Sequence, residues 1–171
     1  IIKHLDDFNS FIQGQAGCGK TTLINELKKS TNRIVHLMYP QNVQAIDNNG
    51  VTLHKHFGYD ACFRKTHTKK KYDGDEIIVV DEISMVHPNT YSDLLFLRKK
   101  CKKMSFILLG DFAQTQPVDV SKENIEIIKN VLIPSTCNAK IHLRINKRIT
   151  DKGDVKAKFQ DMLWSSREGK R

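Results

Sequence analysis

At 171 residues the chain is long enough for one α/β domain with a real core and short for two. Lys and Arg number 28 against 19 Asp and Glu, and this net charge of +9 suits a polyanionic partner such as nucleic acid. No run of about 18 apolar residues is present, and Ile1 to Asp7 lack the apolar stretch of a secretion signal, so neither a membrane partner nor secretion is expected.

Phe11-Ile12 is an apolar pair expected to lie in a first buried strand. Gly14-Gln15-Ala16-Gly17-Cys18-Gly19-Lys20-Thr21 follows and fits the phosphate-cradling pattern G-x-x-x-x-G-K-[ST]. Small residues there let backbone N–H groups converge on a β-phosphate. A helix expected over Thr21 to Lys29 adds its positive dipole end. In this pattern Lys20 reaches the β- and γ-phosphates and the Thr21 hydroxyl holds Mg²⁺. The bland alternative is a glycine-rich turn that merely caps a helix. The apolar pair before it and the helix after it favour a nucleoside-triphosphate site.

Arg33 to Met38 reads as a second strand, and the polar, basic stretch Thr66 to Asp75 as a surface loop. Ile77-Ile78-Val79-Val80 is a continuous apolar run that ends in Asp81-Glu82, placing two carboxylates at a strand tip. Asp81 suits Mg²⁺ opposite Thr21, and Glu82 suits orienting and deprotonating the water that attacks the γ-phosphate. Pro88 to Lys100 reads as a helix with Pro in its first turn and Leu94, Leu95 and Leu97 turned inward. Ser105 to Leu109 is a further apolar run, followed by Gly110-Asp111-Phe112-Ala113-Gln114. A Gln just past a strand tip is a neutral donor and acceptor suited to sensing a γ-phosphate or its attacking water. After Ile141-His142-Leu143 come Arg144 and Arg148. Either guanidinium matches the charge that develops on a γ-phosphoryl group, and composition does not choose between them. Val155 to Leu163 reads as a last amphipathic helix.

Short β-branched runs alternating with helices predict an α/β fold, a parallel sheet covered on both faces. Ligands in such sheets sit beyond the carboxyl ends of the strands, where each of these runs ends in candidate chemistry. Basic residues cluster in Lys65 to Lys71 and in Arg98 to Lys103. The second cluster reads equally as a solvated helix end favoured by the helix dipole. Cys18, Cys62, Cys101 and Cys137 are widely spaced and read as reduced thiols of an intracellular protein. The chain begins with Ile, and a piece of a longer protein is expected.

These motifs together resemble the first motor domain of superfamily 1 helicases, most closely the branch containing RecD and the Pif-type DNA helicases. Phe11 to Thr22 resembles the first helicase motif. Val79 to Val86 resembles the second, and Gly110 to Val118, with Asp111, Gln114, Pro117 and Val118 in place, the third. Pro40 to Phe57 is similar to the stretch carrying the family's single-strand contacts, and Leu143 to Arg148 to its fourth motif. Phe159, Leu163, Arg167 and Gly169 resemble the segment that closes the first domain.

The resemblance implies a single RecA-like P-loop NTPase domain over residues 1–171, with ATP and Mg²⁺ as cofactors. The second motor domain of the same parent chain would be a partner. It implies phosphate contacts from Gly14 to Thr22, including Thr22, with Asp111 nearby, and catalytic roles for Lys20, Glu82, Gln114 and Arg148. It further implies contacts to single-stranded DNA, or RNA, from Pro40, Gln41, Asn42, Thr52 and His54, and 5′ to 3′ translocation. Gln41-Asn42 stand where the family has Thr-Gly, and Gln116 replaces a common Pro. No equivalent of the family's adenine-reading glutamine stands in the 13 residues before Gly14. Thr52 reads equally as a turn cap and His54 as a partly buried polar group. Two other functions fit the phosphate loop: a nucleotide-gated module that grips RNA or a protein, and a small-molecule kinase, against which Gly110 to Val118 argues.

Overall fold

The computed structural model describes residues 9–60, 64, 65, 72, 74–114 and 121–146. Most of the expected Thr66 to Asp75 loop, the expected Val155 to Leu163 helix and Arg148 lie outside the described residues. The strands are β1 (Ser10–Gly14), β2 (Ile34–Tyr39), β3 (Val51–Thr52), β4 (Glu76–Val80), β5 (Ser105–Gly110) and β6 (Ala139–Leu143). The helices are α1 (Lys20–Ser30), α2 (Asn42–Asp47), α3 (Leu53–Phe57), α4 (Pro88–Lys100), α5 (Lys122–Ile127) and α6 (Ile133–Thr136). One sheet takes the order β3-β2-β4-β5-β1-β6, and every neighbouring pair is parallel.

Side chains alternate along each strand, so each apolar run feeds two cores. Phe11, Met38, Ile78, Val80, Phe106 and Leu108 face one layer, where Leu94 and Leu97 of α4, Leu53 of α3 and Ile133 of α6 cover them. Ile12, Leu37, Tyr39, Ile77, Val79, Ile107 and Leu109 face the other, under Ile24 and Leu27 of α1 and Ala45 of α2. The expected sheet with helices on both faces is therefore the observed architecture. Leu94 and Leu97 are buried as anticipated, whereas Leu95 is only partly so. The basic end of α4 is solvated: Lys99, Lys100, Lys102 and Lys103 are exposed.

All carboxyl ends of these strands share one rim, and the amino ends share the other. The amino rim is held by Arg33. Its guanidinium donates to the Ser105 hydroxyl at 2.9 Å, the Glu76 carbonyl at 3.0 Å and the Lys103 carbonyl at 3.2 Å, and pairs with Asp75 at 2.8 Å. One side chain thus ties together the entrances to β2, β4 and β5.

Candidate functional site

The carboxyl rim carries the chemistry. β1 ends at Gly14, and the loop that follows turns twice through left-handed backbone, Gly17 at φ 82° and Gly19 at φ 88°. A side chain would be strained at both positions, which accounts for glycine there. Gly19 caps the start of α1, and its carbonyl accepts from the Leu23 N–H at 3.0 Å. Lys20, the first residue of α1, turns back into the loop. Its Nζ donates to the Gly14 carbonyl at 2.8 Å and the Gln15 carbonyl at 3.2 Å, and the residue is only 8% exposed. Gln15 and Cys18 are buried beside it, while Ala16, Thr21 and Thr22 face solvent at the mouth.

Asp81 follows β4. Its N–H donates to the Met38 carbonyl at 3.0 Å, and its Oδ1 accepts from the Glu82 N–H at 2.9 Å. Glu82 occupies left-handed backbone at φ 54°, a conformation that costs a non-glycine residue about 1–3 kcal/mol and clusters at functional sites. Burial pushes the Asp81 carboxyl above the usual carboxylate range, against smaller opposing pulls from the Glu82 N–H and then Lys20. Glu82 is also raised, first by burial and then by the neighbouring Asp81 charge, with Lys20 again opposing. The loop lysine and both carboxylates therefore share one electrostatic field. Tyr39, at the tip of β2, joins them: burial and then the Asp81 and Glu82 charges hold its phenol protonated.

Asp111 follows β5 and is 1% exposed. Its carboxylate accepts from the Ala113 N–H at 3.1 Å and from the Gln114 carboxamide Nε2 at 2.7 Å, and its carbonyl accepts from the Gln114 N–H at 3.0 Å. Asp111 thus orients Gln114. Gly110 explains why this motif abuts the previous one. A Cβ there would lie 2.9 Å from Ile83 Cγ2 and 3.0 Å from the Ile83 nitrogen, so only glycine lets the two strand tips close.

The expected strand contacts lie on the same rim. Pro40 and Gln41 follow β2, and Gln41 and Asn42 are exposed at the start of α2. Thr52 caps α3, its hydroxyl accepting from the Lys55 N–H at 3.1 Å. The cap reading of Thr52 is therefore realised. His54 stacks edge-on against Tyr59 at 5.8 Å. Burial, then the nearby His87, lowers its pKa, so it presents a neutral ring. Arg144 is exposed just after β6. Two neighbours of the site carried no assigned role in the sequence. Asn146 is buried and its carboxamide donates to the Ala16 carbonyl at 3.1 Å. Tyr39 looks from sequence like any strand residue, and nothing local to either position announces the contact.

A glycine-rich loop with its lysine turned inward, an Asp-Glu pair and an oriented Gln, all on one rim of a parallel sheet, define a phosphate-loop nucleotide-binding domain of RecA-like architecture. Residues 10–166 match the family described as the viral superfamily 1 RNA helicase core domain, and the chain belongs to this superfamily 1 helicase family. Among curated proteins it is similar to the ATP-dependent DNA helicase Pif1 of Campylobacter jejuni, 32% identical over 67% of this chain and 30% of that protein. It is also similar to the ATP-dependent DNA helicase PIF1 of Saccharomyces cerevisiae, 29% identical over 99% of this chain and 22% of that protein. A crystal structure of Bacteroides Pif1 bound to single-stranded DNA superposes with a TM-score of 0.71 at 24% identity, covering 99% of this chain and 45% of that one. The chain therefore spans less than a third of these curated relatives and under half of the structural neighbour. Among the described residues no helix is long and apolar enough to cross a membrane.

Proposed function

We propose that the chain is the first motor domain of a longer DNA helicase, which hydrolyses ATP with Mg²⁺ to move 5′ to 3′ along single-stranded DNA. The observation that carries this reading is the buried Lys20 ammonium, set inside the glycine loop and within the field of Asp81 and Glu82. A lysine so placed exchanges carbonyl partners for phosphate oxygens when a triphosphate enters. Glu82, raised by burial, is tuned toward accepting a proton from water, and Gln114, oriented by Asp111, suits holding that water or the γ-phosphate. The Thr21 hydroxyl and Asp81 carboxylate are hard oxygen donors of the class Mg²⁺ takes. Burial raises Asp81 despite Lys20, so a protein cation offsets only part of the cost of its charge. Thr21 and Asp81 would hold the ion, which supplies charge neutralisation on the phosphates. Arg148 is assigned the γ-phosphate contact on the resemblance alone.

Strand contacts fall to Pro40, Gln41, Asn42, Thr52 and His54. A cycle of grip and release needs the second motor domain of the same parent. The two curated proteins named above are called DNA helicases, which supports DNA as the track.

The test compares ATP hydrolysis by this chain and by a version extended through a second motor domain, each with and without single-stranded DNA. DNA-stimulated turnover in the extended protein, abolished by Glu82→Gln while ATP binding persists, is the expected result. Unchanged steady-state hydrolysis in Glu82→Gln would remove the role of Glu82. The family description favours a second reading, an RNA motor. Titration of labelled DNA and RNA oligomers at two salt concentrations separates them by which strand binds more tightly, and the salt slope counts phosphate contacts, each adding roughly 0.7 for single strands.

A further inference from the structure

Asn146 reaches the phosphate loop from 130 residues away in sequence, its Nδ2 donating to the Ala16 carbonyl at 3.1 Å. The residue is 8% exposed, and a carboxamide at that depth is placed where its hydrogen bonds are used. The loop's other early carbonyls, Gly14 and Gln15, are held from within by Lys20. Ala16 is held from outside. Its carbonyl and the Gly17 N–H belong to one planar trans peptide and point in opposite directions. Gly17, at φ 82°, has no side chain to resist rotation of that peptide. Fixing the carbonyl on one side therefore fixes the N–H on the other, and converging N–H groups are what an anion cradle is made of.

We infer that Asn146 is a positioning residue for the triphosphate: it clamps the Ala16–Gly17 peptide so that its N–H serves the phosphates, and it ties the loop to the segment that leads two residues later to Arg148. The inference rests on the nucleotide-binding reading above. It gives the fourth motif a task in binding, separate from its arginine, and makes the phosphate loop dependent on chain that follows the last strand of the sheet.

The experiment uses the whole chain with Asn146→Leu, branched alike but larger and without a donor, and Asn146→Asp, similar in shape but an acceptor when ionised. Each is titrated calorimetrically with inorganic tripolyphosphate and with a non-hydrolysable ATP analogue, both with Mg²⁺, and melted without ligand. Loss of one hydrogen bond made in the bound state is expected to weaken both ligands about tenfold in Asn146→Leu. Asn146→Asp should lose more, because its charge opposes the carbonyl and the phosphates alike. Wild-type affinity in both variants overturns the inference while leaving the nucleotide site standing. A lowered melting temperature with unchanged affinity of the folded protein shows a merely structural role and also overturns it. Failure of the unsubstituted chain to bind either ligand overturns the nucleotide reading itself, and the inference with it.

Discussion

Asp81 and Glu82 are held against their own chemistry. Burial raises both carboxyls above their ordinary range, so their ionised forms weaken the fold. The sign follows from linkage. The stabilising contribution of each acid is fully present below its unfolded value and is lost as pH rises through the raised folded value. At neutral pH both therefore cost stability. Asp81→Asn keeps the shape and the acceptor for the Glu82 N–H, and removes the charge. Its ligand-free melting temperature is expected to rise by about 2–4 °C for each kcal/mol relieved, and its gain in stability on acidification to shrink. Its affinity for Mg²⁺-ATP is expected to fall. Thermal melts across pH 4 to 8, with and without Mg²⁺-ATP, check this, and a variant less stable than the parent at neutral pH would contradict it. Lys20, Asp81 and Glu82 were legible in the sequence because motif spacing and an adjoining apolar run fix their place locally. Asn146 was not, because its partner is set by the pairing of β6 with β1, a long-range event with no local signature.

At the scale of elements, the strand tips close on one another through Gly110. The nearest atoms to an added Cβ there include backbone of Ile83 and Ser84, which follow Glu82 directly and cannot swing away as a flexible side chain can. Gly110→Ala is expected to destabilise the chain by about 1–3 kcal/mol, the usual cost of overpacking. It should also lower hydrolysis in the extended protein by displacing the turn that bears Glu82. Denaturant unfolding and turnover measure the two effects, and a variant normal in both would remove the close approach as a constraint. β1, β2, β4 and β5 were legible because short apolar runs stand out, and α4 matched from Pro88 to Lys100 because Pro opens it and its leucines recur at helical spacing. The stretch from Lys122 to Thr136 offered no such clarity. It contains an apolar run interrupted by Pro134, and the structure accommodates it with a wide π turn, Ile128–Leu132, before α6. A wider turn gives room near a residue that lacks an N–H to donate. α2, β3 and α3 are each too short for periodicity to register.

Across the whole molecule, function and cohesion occupy opposite rims of one sheet. Arg33 anchors the amino rim through donors to Ser105, Glu76 and Lys103, while the described residues proposed to contact the phosphates follow the carboxyl ends of their strands. Arg33→Ala is expected to lower stability by about 2 kcal/mol, in keeping with hydrogen bonds from a charged donor to partly buried acceptors. Triphosphate affinity of the folded protein should stay unchanged. Denaturant midpoints and calorimetry together test this separation, and a loss of affinity without a loss of stability would show the rims to be coupled. The resting posture of Lys20 has a different consequence. Its ammonium is satisfied by two carbonyl oxygens of its own loop. An arriving anion must outbid those oxygens, and a lone inorganic phosphate brings few atoms with which to do so. A polyphosphate chain engages the loop amides and the lysine together. On the proposed function, the loop is therefore expected to bind tripolyphosphate more tightly than inorganic phosphate.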